Sequence, residues 1–143
     1  MGQIISATTR FDSQAAHRRD DFLAKARVLL SQAEVYRDKS QLIEALDAAY
    51  QAALRLAGAR IADSPLARRR RGLPSGAWEQ LKLVDEAGEA QAAEFSAYSR
   101  LRSRLLSGAQ WDVSEVVVDE LIGKVADFLV AVEGSLGWNL DAA

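Results

Sequence analysis

The sequence predicts an all-α fold, an antiparallel bundle of four to five helices forming a single domain. Three observations point there. Apolar residues recur every three or four positions along most of the chain, which is the period of a helix face. The 143 residues contain only two prolines, both between residues 65 and 74. No stretch keeps the apolar–polar alternation of a half-buried strand. A chain of this length can bury a sizeable core.

Residues 1–12 show no sustained period and read as an N-terminal arm, with the domain over 13–143. From about Ser13 a first helix carries the stripe Phe22, Ala26, Leu29, Leu30, Ala33 and Tyr36. Lys39-Ser40 breaks it, and Ser40 is placed to cap the next helix. Residues 41–62 are apolar around most of the circumference. Leu42, Leu46, Ala49, Tyr50, Ala53, Ala57 and Ile61 form the main stripe, and Glu44, Asp47, Gln51, Arg55 and Gly58 stand off it. A helix this apolar belongs at the centre of a bundle.

Asp63-Ser64-Pro65 ends the second helix, and a loop punctuated by Gly72, Pro74 and Gly76 follows. Ser75 or Gly76 starts a third helical region with Trp78 and Leu81 facing inward. It runs to Leu106 through Phe95, Tyr98, Leu101 and Leu105, with Gly88 a candidate divider, and Ser107-Gly108 stops it. Asp112 and Glu115 have the spacing of a capping box. The last helix then uses Val117, Leu121, Val125, Phe128 and Val132, backed by Ile122 and Leu129. Val116-Val117-Val118 alone suits a strand, but the helical period up to Gly134 overrides it.

Lys+Arg is 18 and Asp+Glu is 20, a net charge of −2, so no overall field draws the protein to a polyanion. Fourteen of the cations are arginine and 26 residues are alanine, the bias of a high-GC bacterial genome. Met1-Gly2-Gln3-Ile4-Ile5-Ser6 matches a short N-myristoylation pattern, against which that bacterial bias speaks. No cysteine is present, no apolar run has membrane-spanning length, and no signal segment opens the chain, so a cytoplasmic protein without a membrane partner is expected.

One histidine, His17, and no E-x-x-H pair leave no metal site, and no cofactor is implied. Glu86 with Glu89, and Asp20-Asp21 beside Arg18-Arg19, read as solvated faces. The strongest polar signal is Arg68, Arg69, Arg70 and Arg71 in the loop, followed by Arg100 and Arg104 on one face of a later helix. Arg102 points elsewhere. Such a run is either a solvated loop or a set of phosphate contacts. Trp78, Trp111 and Trp138 fall near expected helix ends or loops. A tryptophan there plugs the rim of a core, whereas an exposed one anchors a partner surface.

The long first helix, the segment A-L-D-A-A-Y-Q-A-A-L-R-L-A-G-A-R-I-A and the arginine-rich loop feeding G-A-W-E-Q-L resemble a HEPN domain. They are most similar to a small actinobacterial branch of such domains, over roughly residues 14–133. The resemblance implies a helical bundle, often homodimeric, and in many members a metal-independent ribonuclease. Its catalytic signature would be an arginine followed, after four to six residues, by a histidine late in the fold. After Arg100, Arg102 and Arg104 the candidate positions hold Leu105–Ser107, Ser107–Ala109 and Ala109–Trp111, with no histidine. Arg10 and His17 alone have a matching interval, at the opposite end of the chain. The expectation is a non-catalytic interaction module, a homodimer with an unidentified protein partner. The alternative is an RNA- or nucleotide-binding protein using Arg68–Arg71, with Arg100 and Arg104 assisting. Weak ribonuclease activity would rest on Arg10 and His17.

Overall fold

A computed structural model describes residues 7–69 and 71–142. Among the described residues are six α-helices and one 3-10 turn: α1 Ala7–Asp38, α2 Leu42–Ala62, the turn Pro65–Arg68, α3 Ala77–Leu81, α4 Glu86–Ser96, α5 Ser99–Ser107 and α6 Glu115–Ala142. No strand occurs among the described residues. Four long legs, α1, α2, α4–α5 and α6, build the all-α bundle, with α3 as a short brace.

Side-chain contacts give the directions. Arg19 of α1 reaches Asp63 after α2, and Phe22 lies against Gly58, so the start of α1 meets the end of α2. Arg37 binds Asp119 and Glu115 at the start of α6, while Arg27 pairs with Glu133 much further along it. Asp47 meets Arg102 and Arg60 meets Asp85, so the α4–α5 leg also opposes α2. The bundle is antiparallel from leg to leg.

Helix α2 is central. Ala45, Ala48, Ala49, Ala52, Ala53, Ala57 and Ala59 are buried on several of its faces, beside Leu46, Tyr50 and Leu56. Alanine has no side-chain entropy to lose and lets backbones approach closely. Its neighbours supply the bulk: Leu23, Ala26 and Leu30 from α1, Phe95 from α4, Leu121, Val125 and Phe128 from α6. A chain of rings ties four helices together. Tyr50 meets Trp78 edge-on at 6.0 Å, Trp78 stacks on Phe95 at 5.9 Å, and Phe95 on Phe128 at 5.1 Å. The Trp78 indole N–H donates to the Tyr50 hydroxyl at 2.8 Å, which satisfies both polar ends.

Several boundaries differ from the sequence reading, each for a local reason. α1 begins at Ala7, inside the segment read as an arm. Ser40 is not a cap for α2. It sits at φ 58°, with its N–H on the Arg37 carbonyl and the Gln41 N–H on the Tyr36 carbonyl, so it closes α1 as a Schellman turn. The third region breaks at Lys82–Asp85 and again near Ala97, and Gly88 does not divide it. Asp85 caps α4 through the Gly88 N–H at 2.6 Å. A Cβ on Gly88 would stand 2.3 Å from the Leu81 carbonyl oxygen, so this glycine permits the tight fold of α3 onto α4. Ser114, not Asp112, caps α6 by accepting the Val117 N–H at 3.2 Å. On α6 it is Val118 that is fully buried, with Val117 at the margin, and the helix continues beyond Gly134. Gly108 does stop α5, in the left-handed region at φ 82°.

Candidate functional site

The arginine stretch is held out by what precedes it. Ser64 accepts the Leu66 N–H at 3.3 Å and donates to the Ile61 carbonyl at 2.7 Å, so Pro65 starts a 3-10 turn. Leu66 is buried and pins the turn to α2. The chain beyond it then runs over the surface, and Arg68, Arg69 and Arg71 are exposed. Arg70 lies outside the described residues, as do Met1–Ser6. The Arg69 guanidinium donates to the carbonyl of Gly72, itself at φ 79°. Gln80 of α3 donates to the Pro74 carbonyl at 2.7 Å and fastens the far side of the loop.

Hollows flank this turn, and two of them carry its arginines. One of about 380 Å³ has Arg19, Asp63, Ser64 and Arg68 on its walls. Arg19 is already neutralised, with Asp20 and Asp63 both at 3.1 Å. Partial burial works against its charge, but those two hydrogen bonds outweigh it and raise its pKa. The other hollow, about 420 Å³, has an apolar floor of Phe22, Leu54, Ile61 and Leu66, with Arg18 and Arg69 at its rim. Arg18 and Arg71 have no ion-pair partner among the described residues. That Arg18 and the loop line one hollow escaped the sequence reading. The only available signal was the doublet Arg18-Arg19, and the hairpin of α1 and α2 that brings it to residue 69 is a tertiary fact.

Arg100 and Arg104 are not part of this site. Their helix meets α2 near Asp47, where Arg102 binds that carboxylate at 2.7 Å and lies 5.0 Å from the Tyr50 ring centre. From Asp47 to Ala62, at 1.5 Å per residue, is about 22 Å. Arg100 is exposed, and Arg104 donates to Gln110 at 3.1 Å. Arg10 and His17 are exposed on α1, and His17 lines neither hollow.

Nor is the Tyr98–Glu120–Lys124 cluster built as a nucleophile. Burial, with the hydrogen bond to Glu120, raises the pKa of the Tyr98 hydroxyl. Lys124 donates to Tyr98 at 3.1 Å and to Glu120 at 3.0 Å, locking α6 to the α4–α5 leg. Among the described residues no group of three potential ligands gathers where a metal could sit, and no helix is long and apolar enough to cross a membrane.

The same far end of α2 carries a second surface. Trp78 is a core plug, but Trp111 is 87% exposed, with Leu106 and Val116 exposed on either side in sequence. The side chain of Trp138 lies outside the described residues. The Trp111 loop is ordered internally. Its indole N–H donates to the Gly108 carbonyl at 3.1 Å, Gln110 bonds the Asp112 carbonyl at 2.8 Å, and Val113 is buried beneath. Sequence position alone could not separate a rim plug from an exposed anchor.

Residues 33–133, well over half of the chain, match the family model described as SAV_6107-like HEPN. No curated protein and no solved structure matches the chain. The chain belongs to the SAV_6107-like HEPN family.

Proposed function

We propose that this HEPN chain is a non-catalytic interaction module whose principal contact is a homodimer formed through the Trp111 surface. The exposed indole of Trp111 carries the reading. A tryptophan buries on the order of 150–250 Å² when covered and is among the side chains that most often dominate binding energy. Its loop is held by its own hydrogen bonds and by Val113, so little ordering remains to be done on association. The segment around Trp111 also carries both signs of charge in sequence, with Arg100 and Arg104 on α5 before it and Asp112 and Glu115 after it. A two-fold axis through such a patch sets each sign against its opposite. The lack of a histidine after Arg100, Arg102 and Arg104 supports a role without catalysis. RNA or nucleotide binding by the arginine stretch is the alternative, and about 22 Å of α2 separates that stretch from the assistance of Arg100 and Arg104.

Light scattering after gel filtration tests the reading. The wild type is expected to be a dimer at about 50 μM, and Trp111→Ser to be monomeric there with an unchanged far-ultraviolet spectrum, a weakening of at least about tenfold. A monomeric wild type at that concentration removes the homodimer.

A further inference from the structure

The hollow beside the arginine stretch joins an apolar floor to a cationic rim. We propose that it docks an acidic peptide segment of a partner protein, with one apolar side chain on the floor and flanking carboxylates on Arg18 and Arg69. This contact is independent of the Trp111 surface and lies at the opposite end of α2.

Charge decides the first half of the assignment. Arg18 has no ion-pair partner among the described residues, and the Arg69 guanidinium is bound to a neutral carbonyl, that of Gly72. Arg19, one residue away, shows the contrast: it is saturated by Asp20 and Asp63. A guanidinium beside an apolar surface makes its best bonds with a planar anion that it can grip through two N–H groups. The hollow offers two such groups, one from α1 and one from the loop.

The floor decides the second half. Phe22, Leu54, Ile61 and Leu66 form an apolar basin in a space of about 420 Å³, which suits one or two side chains. Single-stranded bases are held best on free aromatic faces. Phe22, the aromatic residue lining the basin, has its ring against α2, 2.9 Å from where a Cβ on Gly58 would stand. Trp78 is turned inward onto Tyr50 and Phe95. A molecule of net charge −2 also gives no long-range pull on a polyanion, whereas a short acidic segment needs only the two local cations. The walls are set in advance by buried Leu66, the Ser64 cap and the Gln80–Pro74 bond.

The test is fluorescence anisotropy with a fluorescein-labelled twelve-residue peptide of glycine and serine carrying two central leucines flanked by one aspartate and one glutamate, at low salt. Saturable binding is expected, weakened about tenfold by Arg18→Ser/Arg69→Ser and by serine in place of the peptide leucines. A second variant, Ala67→Glu, places a carboxylate in the same hollow and is expected to weaken binding as much. Circular dichroism confirms that each variant is folded. Absence of saturation, or binding that survives both protein variants, overturns the proposal. So does a twelve-nucleotide single-stranded RNA that binds more tightly than the peptide and loses affinity in the same variants. The substitutions leave Trp111 untouched, so light scattering on them reports the homodimer separately.

Discussion

Ser40 shows what a single residue can conceal. It stands at φ 58°, in the left-handed region that costs an L-residue with a Cβ roughly 1–2 kcal/mol. The conformation is imposed by the two hydrogen bonds that close α1, from the Ser40 N–H to Arg37 and from the Gln41 N–H to Tyr36. Glycine adopts this geometry without strain but loses more freedom on folding, which takes back part of the gain. Ser40→Gly is therefore expected to stabilise the protein by about 0.5–1 kcal/mol, read as a higher urea midpoint at unchanged slope. A lower midpoint would mean that the serine makes a stabilising contact beyond the turn. The sequence showed that the chain is interrupted here. It could not show the direction, because a serine between two helices is equally placed to end the first or cap the second. Asp112 with Glu115 misled in the same way, since Ser114 stands between them with the same ability to accept an N–H.

At the scale of elements, the third leg is where local pattern and tertiary structure part. Residues 77–107 have helical periodicity throughout, yet they form three helices. The break depends on Asp85, which accepts the Gly88 N–H and is gripped by Arg60 at 2.5 and 3.0 Å. Arg60 belongs to α2, so no window of sequence around Asp85 contains its partner. The hydrogen bond from Arg60, aided by the Gly88 N–H, holds the Asp85 carboxyl below the usual aspartate range despite partial desolvation. Asp85→Ala is expected to cost about 1–2 kcal/mol, mainly through the lost cap. Asp85→Asn should cost less, because its amide oxygen can still cap α4 while the ion pair is gone. Because the folded pKa is depressed, the charge-dependent share is complete above the ordinary aspartate range and disappears as pH falls through the lower folded value. The gap between wild type and Asp85→Asn should thus be full at pH 7 and close below about pH 4, as followed by urea titration at each pH. A gap independent of pH would assign the effect to shape alone.

For the whole molecule, the legible part was the core and the hidden part was the site. An alanine-rich helix apolar on nearly all sides has one physical solution, burial among other helices, and α2 is found there. That Arg18 and Arg69 line one hollow depends instead on how α1 and α2 fold back on each other, information spread over fifty residues. The ring chain Tyr50–Trp78–Phe95–Phe128 tests whether these legs act as one body. Phe95 is 1% exposed and stacks on rings from α3 and α6, so removing it opens a cavity where three helices meet. Phe95→Ala is expected to cost about 3–5 kcal/mol. For a chain of this size that corresponds to a fall of about 10–20 °C in Tm. Far-ultraviolet circular dichroism reports all helices, while the near-ultraviolet signal reports the packed rings. Both should shift together, in wild type and variant, because one contiguous core melts cooperatively. If the ring signal were lost well below the helical one, the α3–α4 brace would be a separately unfolding unit, and the loop that holds Arg69 would open with it.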